Sequence, residues 1–171
     1  MKALAHPRLP AGGRLWGAGR PGYPSTPASP QQVERGVREW AGLGVEVVVT
    51  LMEEEELGRI VPGFLEALGR HGLESLRFPI RDFGAPGAHE AERFCLFVAG
   101  VRDRLARGQS ILVHCNAGLG RTAVFLATLL RGCGLSGDAV AEIRQIYEPH
   151  AMEGAAQEAF VRGLAFPKDG G

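Results

Sequence analysis

The chain has no surplus charge of either sign, little cysteine, few aromatics and no long apolar run. Each shortage removes a class of protein. Lysine plus arginine and aspartate plus glutamate number 19 each, so the formal net charge is zero. A dedicated nucleic-acid binder carries a basic excess, and none exists here. The three cysteines, Cys95, Cys115 and Cys133, match neither a disulfide framework nor a zinc ribbon in number or spacing. No H-E-x-x-H occurs among the five histidines, so neither a metal nor another cofactor is expected. No apolar stretch approaches the roughly 20 residues that span a bilayer, and the opening residues Met1–Arg8 lack the apolar run of a secretory signal. These absences predict a cytoplasmic protein with free cysteines and neither membrane nor nucleic acid as partner.

What remains is ordinary globular material: 171 residues, 45% hydrophobic and 22% charged, enough for one domain of roughly 150 residues. Glycine and proline concentrate at the front. We read residues 1–30 as an irregular arm packed on the body, with a short strand around Arg14–Gly17. Residues 31–166 form the domain and 167–171 a flexible tail. Val45–Leu51 is nearly continuous and β-branched, the pattern of a strand buried on both faces. Ser110–His114 predicts a second such strand, and Leu73–Ile80 a short one broken by Pro79. Helices are predicted over 31–42, 62–72, 88–107, 122–132, 137–147 and 154–164, the fourth apolar almost all round and therefore central. Strands alternating with helices give an α/β domain with a central, mostly parallel sheet of four or five strands.

The chemistry concentrates at Ile111–Thr122, I-L-V-H-C-N-A-G-L-G-R-T. A buried strand ends at Cys115, a glycine-rich turn follows, and an apolar helix begins near Arg121. That order places the cysteine at a strand's carboxyl end, where open α/β sheets hold ligands. The backbone N–H groups of Asn116, Ala117, Gly118, Leu119, Gly120 and Arg121 can curl into an anion-binding nest at a helix N-terminus. Arg121 adds a permanently charged fork suited to phosphate. A thiol at a helix N-terminus beside a cation is biased toward thiolate, so the pattern predicts Cys115 as a nucleophile on the floor of an anion cradle. Thr122 is placed to donate a hydrogen bond to the departing thiolate, and His114 to order the loop rather than act as a base.

His114, Cys115, Gly118, Gly120, Arg121 and Thr122 together resemble the H-C-x5-R-[ST] signature of the protein tyrosine phosphatase superfamily. The stretch Phe78-Pro79-Ile80-Arg81-Asp82, 33 residues before Cys115 at its last residue, resembles the acid loop of compact dual-specificity and kinase-associated phosphatases. Leu15–Pro21 is similar to the opening segment of bacterial dual-specificity-like members. Pro149, Ala151, Glu153 and Gln157 are similar to a family stretch R-P-G-A-I-E-T-x-x-Q, from which Glu148, His150 and Gly154 depart. The resemblance implies metal-independent hydrolysis of phosphate monoesters through a phosphocysteine. Asp82 would serve as general acid and then base, and Gln157 would help position water. It implies a phosphoprotein or phosphopeptide substrate, phosphotyrosine first, and a monomer. Asn116 and Leu119 are uncharged where the inositol-lipid phosphatases resembling this motif carry lysines.

Two other functions stay open on the sequence: a non-catalytic phosphoprotein-binding module that keeps the cradle, and a phosphatase for lipid, nucleotide or sugar phosphates. Other motifs fail by counting. A nucleotide P-loop would need glycine at Cys115 and lysine at Arg121. Asp82-Phe83-Gly84 imitates the kinase magnesium motif with no H-R-D or V-A-I-K segment to accompany it. A cysteine protease would leave Arg121 unexplained. The remaining candidates read as structural: Glu53–Glu56 as a solvated acidic run opening a helix, Arg81 as solvated surface, and Cys95 and Cys133 as helix packing.

Overall fold

Val47, Val48 and Val49 are wholly buried, as their unbroken β-branched run predicts, and they lie inside a five-stranded sheet. The computed structural model describes residues 1–164; the tail expected at 167–171 lies outside the described residues. The strands are β1 (Lys2–Leu4), β2 (Leu15–Gly19), β3 (Val47–Thr50), β4 (Glu74–Arg77) and β5 (Ile111–Cys115), in the order β1-β2-β5-β3-β4. Only β1 runs antiparallel. The fold is therefore the expected single α/β domain with a mostly parallel sheet.

The helices are α1 (Pro30–Gly42), α2 (Glu54–Ile60), α3 (Phe64–Arg70), α4 (Ala91–Ala106, led by a 3-10 turn), α5 (Arg121–Gly132), α6 (Ala139–Ile146) and α7 (Ala155–Gly163). Local sequence explains their ends. Ser29 caps α1 by accepting from the Gln32 N–H at 3.2 Å, while the Gln32 side chain accepts from the Ser29 N–H at 2.7 Å. With Pro30 in the first turn, these satisfy donors the helix leaves orphaned. Helix α5 is buried on every side from Arg121 to Leu130 and touches α4, α6 and α7. Phe94, Phe97, Phe125 and Phe160 interlock edge to face around it. On the opposite face α1 meets α3, and Trp40 and Phe64 close on the His114 ring.

The arm is more ordered than expected: the short strand expected around Arg14–Gly17 is β2, which lies inside the sheet, and β1 is an addition. Leu15-Trp16-Gly17-Ala18-Gly19 has little intrinsic strand preference, so its conformation comes from its neighbours. Gly17 is required by one of them: a Cβ there would lie 2.5 Å from the Tyr147 ring. Because β5 sits between β2 and β3, the connections leaving the strands diverge to opposite faces. Open α/β sheets hold their ligands at the carboxyl ends of strands so arranged.

Candidate active site

At that end of the sheet lies Cys115, the last residue of β5, registered against Gly19 of β2. From there the chain turns through Asn116–Gly120 into α5. Gly118 makes the turn possible. Its φ is +85°, and a Cβ would lie 2.6 Å from the Ala18 carbonyl carbon and the Gly19 nitrogen, so only glycine fits. The turn brings the Gly118 N–H back to the Cys115 Sγ at 3.3 Å.

Three distant segments brace the outside of this loop. The Arg20 N–H donates to the Asn116 carbonyl at 2.9 Å and the Met152 N–H to the Leu119 carbonyl at 3.0 Å. The Tyr147 hydroxyl donates to the Gly118 carbonyl at 2.7 Å. With these carbonyls turned outward, planar trans peptides turn the N–H groups of Ala117, Leu119 and Gly120 the other way, toward the inside of the loop. The result is a cradle of donors at the positive end of α5. Met152 takes a φ of +68° to make its contact, a left-handed conformation uncommon outside glycine.

Beneath the cradle, His114 is completely buried. Its Nδ1–H donates to the Cys115 carbonyl (3.2 Å), which leaves Nε2 to accept from the Thr50 hydroxyl (2.9 Å). Burial pushes its pKa down to about 4, so the ring is neutral and orders the loop. The Thr122 hydroxyl donates to the Ala18 carbonyl at 3.5 Å, which commits its one proton to the backbone of β2 in this arrangement.

Arg121 is 1% exposed. It donates to both Glu56 oxygens at 2.7 and 2.9 Å, to the Ile80 carbonyl at 3.1 Å and to Asp82 Oδ1 at 2.7 Å. Burial is the largest single influence and lowers its pKa; the Glu56 hydrogen bonds and the charges of Cys115, Glu56 and Asp82 together outweigh it and hold the pKa above the usual value. The solvated reading of Glu53–Glu56 is thereby corrected at its last residue. Glu53, Glu54 and Glu55 are exposed, but the Glu56 side chain is only 10% exposed and is the main partner of Arg121. A fully buried guanidinium demands a carboxylate. That demand was the available signal, and it did not say which acid would answer.

Asp82 joins Cys115 and Arg121 at the same edge, on a loop after β4. Its Oδ1 also accepts the Phe83 N–H at 3.1 Å, and Phe83 takes a φ of +56° with its ring exposed. Gln157, completely buried, holds the loop from behind: its Nε2 donates to the Gly84 carbonyl at 2.9 Å and its Oε1 accepts the Glu153 N–H at 2.8 Å. The structure thus sets Gln157 between the loop that carries Asp82 and Gly120 of the cradle, where a Cβ would lie 2.8 Å from its Nε2. Glu153 leans on Gly120, where a Cβ would meet its Oε2 at 2.4 Å. Burial first, and then Asp82, raise the Glu153 pKa, with Arg121 opposing. Arg20, Glu56, Tyr147 and Met152 are the site residues that sequence reasoning did not single out.

A family model described as a polymorphic toxin system DSP-PTPase phosphatase (Tc-R-P) matches residues 21–134, a span holding the cradle, Glu56 and Asp82. The chain belongs to this phosphatase family. A pig protein named cyclin-dependent kinase inhibitor 3 is 27% identical over 101 residues, 58% of this chain and 46% of that protein; the match spans about half of that relative's length. A structure of kinase associated phosphatase, its catalytic-site cysteine replaced by serine, superposes with a TM-score of 0.72 at 20% identity, covering 86% of this chain and 82% of the other. Tk-PTP in its active form gives a TM-score of 0.64 at 32% identity over 75% and 83%. The phosphatase fold and family are those the H-C-x5-R-T resemblance implied.

Proposed function

We propose that the chain hydrolyses phosphate monoesters in two steps through a phosphocysteine, with proteins carrying phosphotyrosine as its first substrates. One observation carries the reading: the Cys115 sulfur, the inward N–H groups, Arg121 and Asp82 converge at one strand edge, with Arg121 touching the acid directly. In this structure Asp82 is paired with Arg121. A phosphate entering the cradle competes for the same guanidinium nitrogen. With Arg121 turned to the phosphate, Asp82 acts as the general acid and gives a proton to the leaving oxygen as Cys115 attacks phosphorus. In the second step Asp82 removes a proton from water, which attacks the phosphocysteine and expels the thiolate. Arg121 and the cradle hold the equatorial oxygens throughout. Gln157 acts by anchoring the acid loop through Gly84 and keeping water in register. Thr122 turns from Ala18 to stabilise the departing thiolate.

Uncharged Asn116 and Leu119 support a protein over an inositol-lipid substrate, as does the tie of two relatives to a protein kinase in their names. Exposed Phe83 beside Asp82 offers a flat apolar contact for a substrate ring. Among the described residues no helix is long and apolar enough to cross a membrane, and the three cysteines are free. We read the chain as a monomer that acts on phosphoproteins in the cytoplasm.

The test is p-nitrophenyl phosphate hydrolysis from pH 4.5 to 8 in chelator, for wild type, Cys115→Ser and Asp82→Asn. Turnover by wild type, none by the serine variant and loss of the acidic-to-neutral optimum in the asparagine variant are expected. Phosphotyrosyl peptides should then outperform lipid, nucleotide and sugar phosphates. Binding of vanadate by reduced wild type without turnover would replace this reading with a phosphoprotein-binding module.

A further inference from the structure

Arg20 lies one residue beyond Gly19, which pairs with Cys115, so it flanks the first peptide of the cradle. It is 3% exposed. Its Nε donates to Asn116 Oδ1 at 2.8 Å, Nη1 to the Pro21 carbonyl at 3.3 Å, and Nη2 to the Ser25 carbonyl at 2.8 Å and the Thr26 hydroxyl at 2.9 Å. Its own backbone N–H also holds the Asn116 carbonyl. All of these acceptors are neutral. The guanidinium lies 5.7 Å from the Tyr23 ring centroid, and burial lowers its pKa, with Tyr23 and Glu56 partly opposing. A buried cation with no carboxylate of its own is costly, and proteins normally pair one.

Charge balance gives that cost a use. Arg121 is already neutralised by the bidentate Glu56 and further contacted by Asp82. If Arg121 and Glu56 stood alone, the cradle would face a phosphate dianion with no net charge beyond its N–H groups. Arg20 tips the balance. Its hydrogen bonds to Asn116 fix the residue after the nucleophile from both the main chain and the side chain.

We propose that Arg20 is a positioning residue for phosphate binding. It fixes the first peptide of the cradle through Asn116, and it supplies a buried positive charge that pairs directly with no carboxylate among the described residues. The proposal rests on the phosphatase reading and names what gives that site its affinity.

Inorganic phosphate binding to the reduced full-length protein, measured by calorimetry, tests it without requiring turnover. Arg20→Gln should bind phosphate about tenfold more weakly, and its KM should rise by a similar factor while kcat stays within about threefold. Arg20→Lys keeps the charge but not the fork to Asn116, and should lose only about threefold. A purely structural role would lower the melting temperature and the active fraction, cutting kcat with KM unchanged, and that pattern overturns the proposal. So does a folded Arg20→Gln that binds phosphate within twofold of wild type, or an Arg20→Lys as weak as Arg20→Gln. Should the glutamine variant fail to fold, Arg20→Lys and Asn116→Ala carry the test. Asn116→Ala should raise KM about threefold, and an unchanged KM removes the positioning role. Wild type that binds phosphate yet hydrolyses nothing would end the phosphatase reading, while calorimetry would still judge Arg20.

Discussion

Replacing Glu56 by glutamine keeps the side chain's shape, removes its charge and turns one of the two oxygens that accept from Arg121 into a donor. Arg121 is 1% exposed and Glu56 10%, so water screens little of the change. Taking one partner from a buried ion pair costs about 3–5 kcal/mol, mostly because the other charge stays buried and uncompensated. Asp82 remains 2.7 Å from Nη2, which favours the lower end, about 3 kcal/mol. For a chain of this size that corresponds to a melting temperature roughly 6–12 °C lower. The guanidinium also loses the carboxylate that fixes its plane, and misplacement of a transition-state group by about 1 Å costs on the order of a hundredfold. We therefore expect kcat on p-nitrophenyl phosphate to fall at least tenfold, with KM changed by less than about threefold. Circular dichroism melts and steady-state kinetics at pH 6–7 read both effects. Exposed Glu55 is the control, since Glu55→Gln should move stability by no more than about 0.5 kcal/mol. If Glu56→Gln melted within 2 °C of wild type and kept its kcat, Glu56 would be one more solvated acid and the account of Arg121 would be wrong.

Three further outcomes follow from the same geometry. Gly118→Ala places a Cβ 2.6 Å from backbone atoms at a φ of +85°; the loop must open, and loss of vanadate binding together with more than tenfold loss of turnover is expected. Gln157→Leu cuts the tie to Gly84 and should lower kcat several-fold for phosphotyrosyl peptide but less for p-nitrophenyl phosphate, whose better leaving group needs less from the acid; equal losses would refute a role through the acid loop. The His114 ring, near pKa 4 when folded against about 6.5 when unfolded, makes the unfolded chain bind more protons between those values. Stability should therefore be flat above about pH 6.5 and fall by about 3 kcal/mol as pH drops from 6.5 to 4. Urea melts at pH 7.5, 5.5 and 4.5 measure the slope, and His114→Asn should flatten it.

Much of the fold was legible because its elements state themselves locally. The valine run of β3, the apolar β5 and the all-round apolar α5 bury what their patterns say they must. The cradle was legible for the same reason: Cys115, the glycines and Arg121 lie within seven consecutive residues. Strand β2 was only half legible, since Gly17-Ala18-Gly19 owes its conformation to Tyr147 and the cradle packed on it. Glu56 was hidden in a run of four identical side chains, of which only helix phase and tertiary docking select one. Arg20, Tyr147 and Met152 act through backbone carbonyls of the loop, and a donor to a main-chain oxygen leaves no complementary residue type to find. Gln157 was marked by its motif, and its contacts with Gly84 and with Gly120 of the cradle are set by the packing of α7.

The three outer braces have a consequence for the motif itself. The span that matches the phosphatase family, 21–134, contains Cys115, Arg121, Asp82 and Glu56 but excludes Arg20, Tyr147, Met152 and Gln157. Every chemical group named by the signature is thus inside that span, while most of the ties that give those groups a shape are outside it. A chain trimmed to the signature region would keep the reagents and lose the vessel. The ends of the domain are where sequence drift could silence this site without altering a letter of its motif.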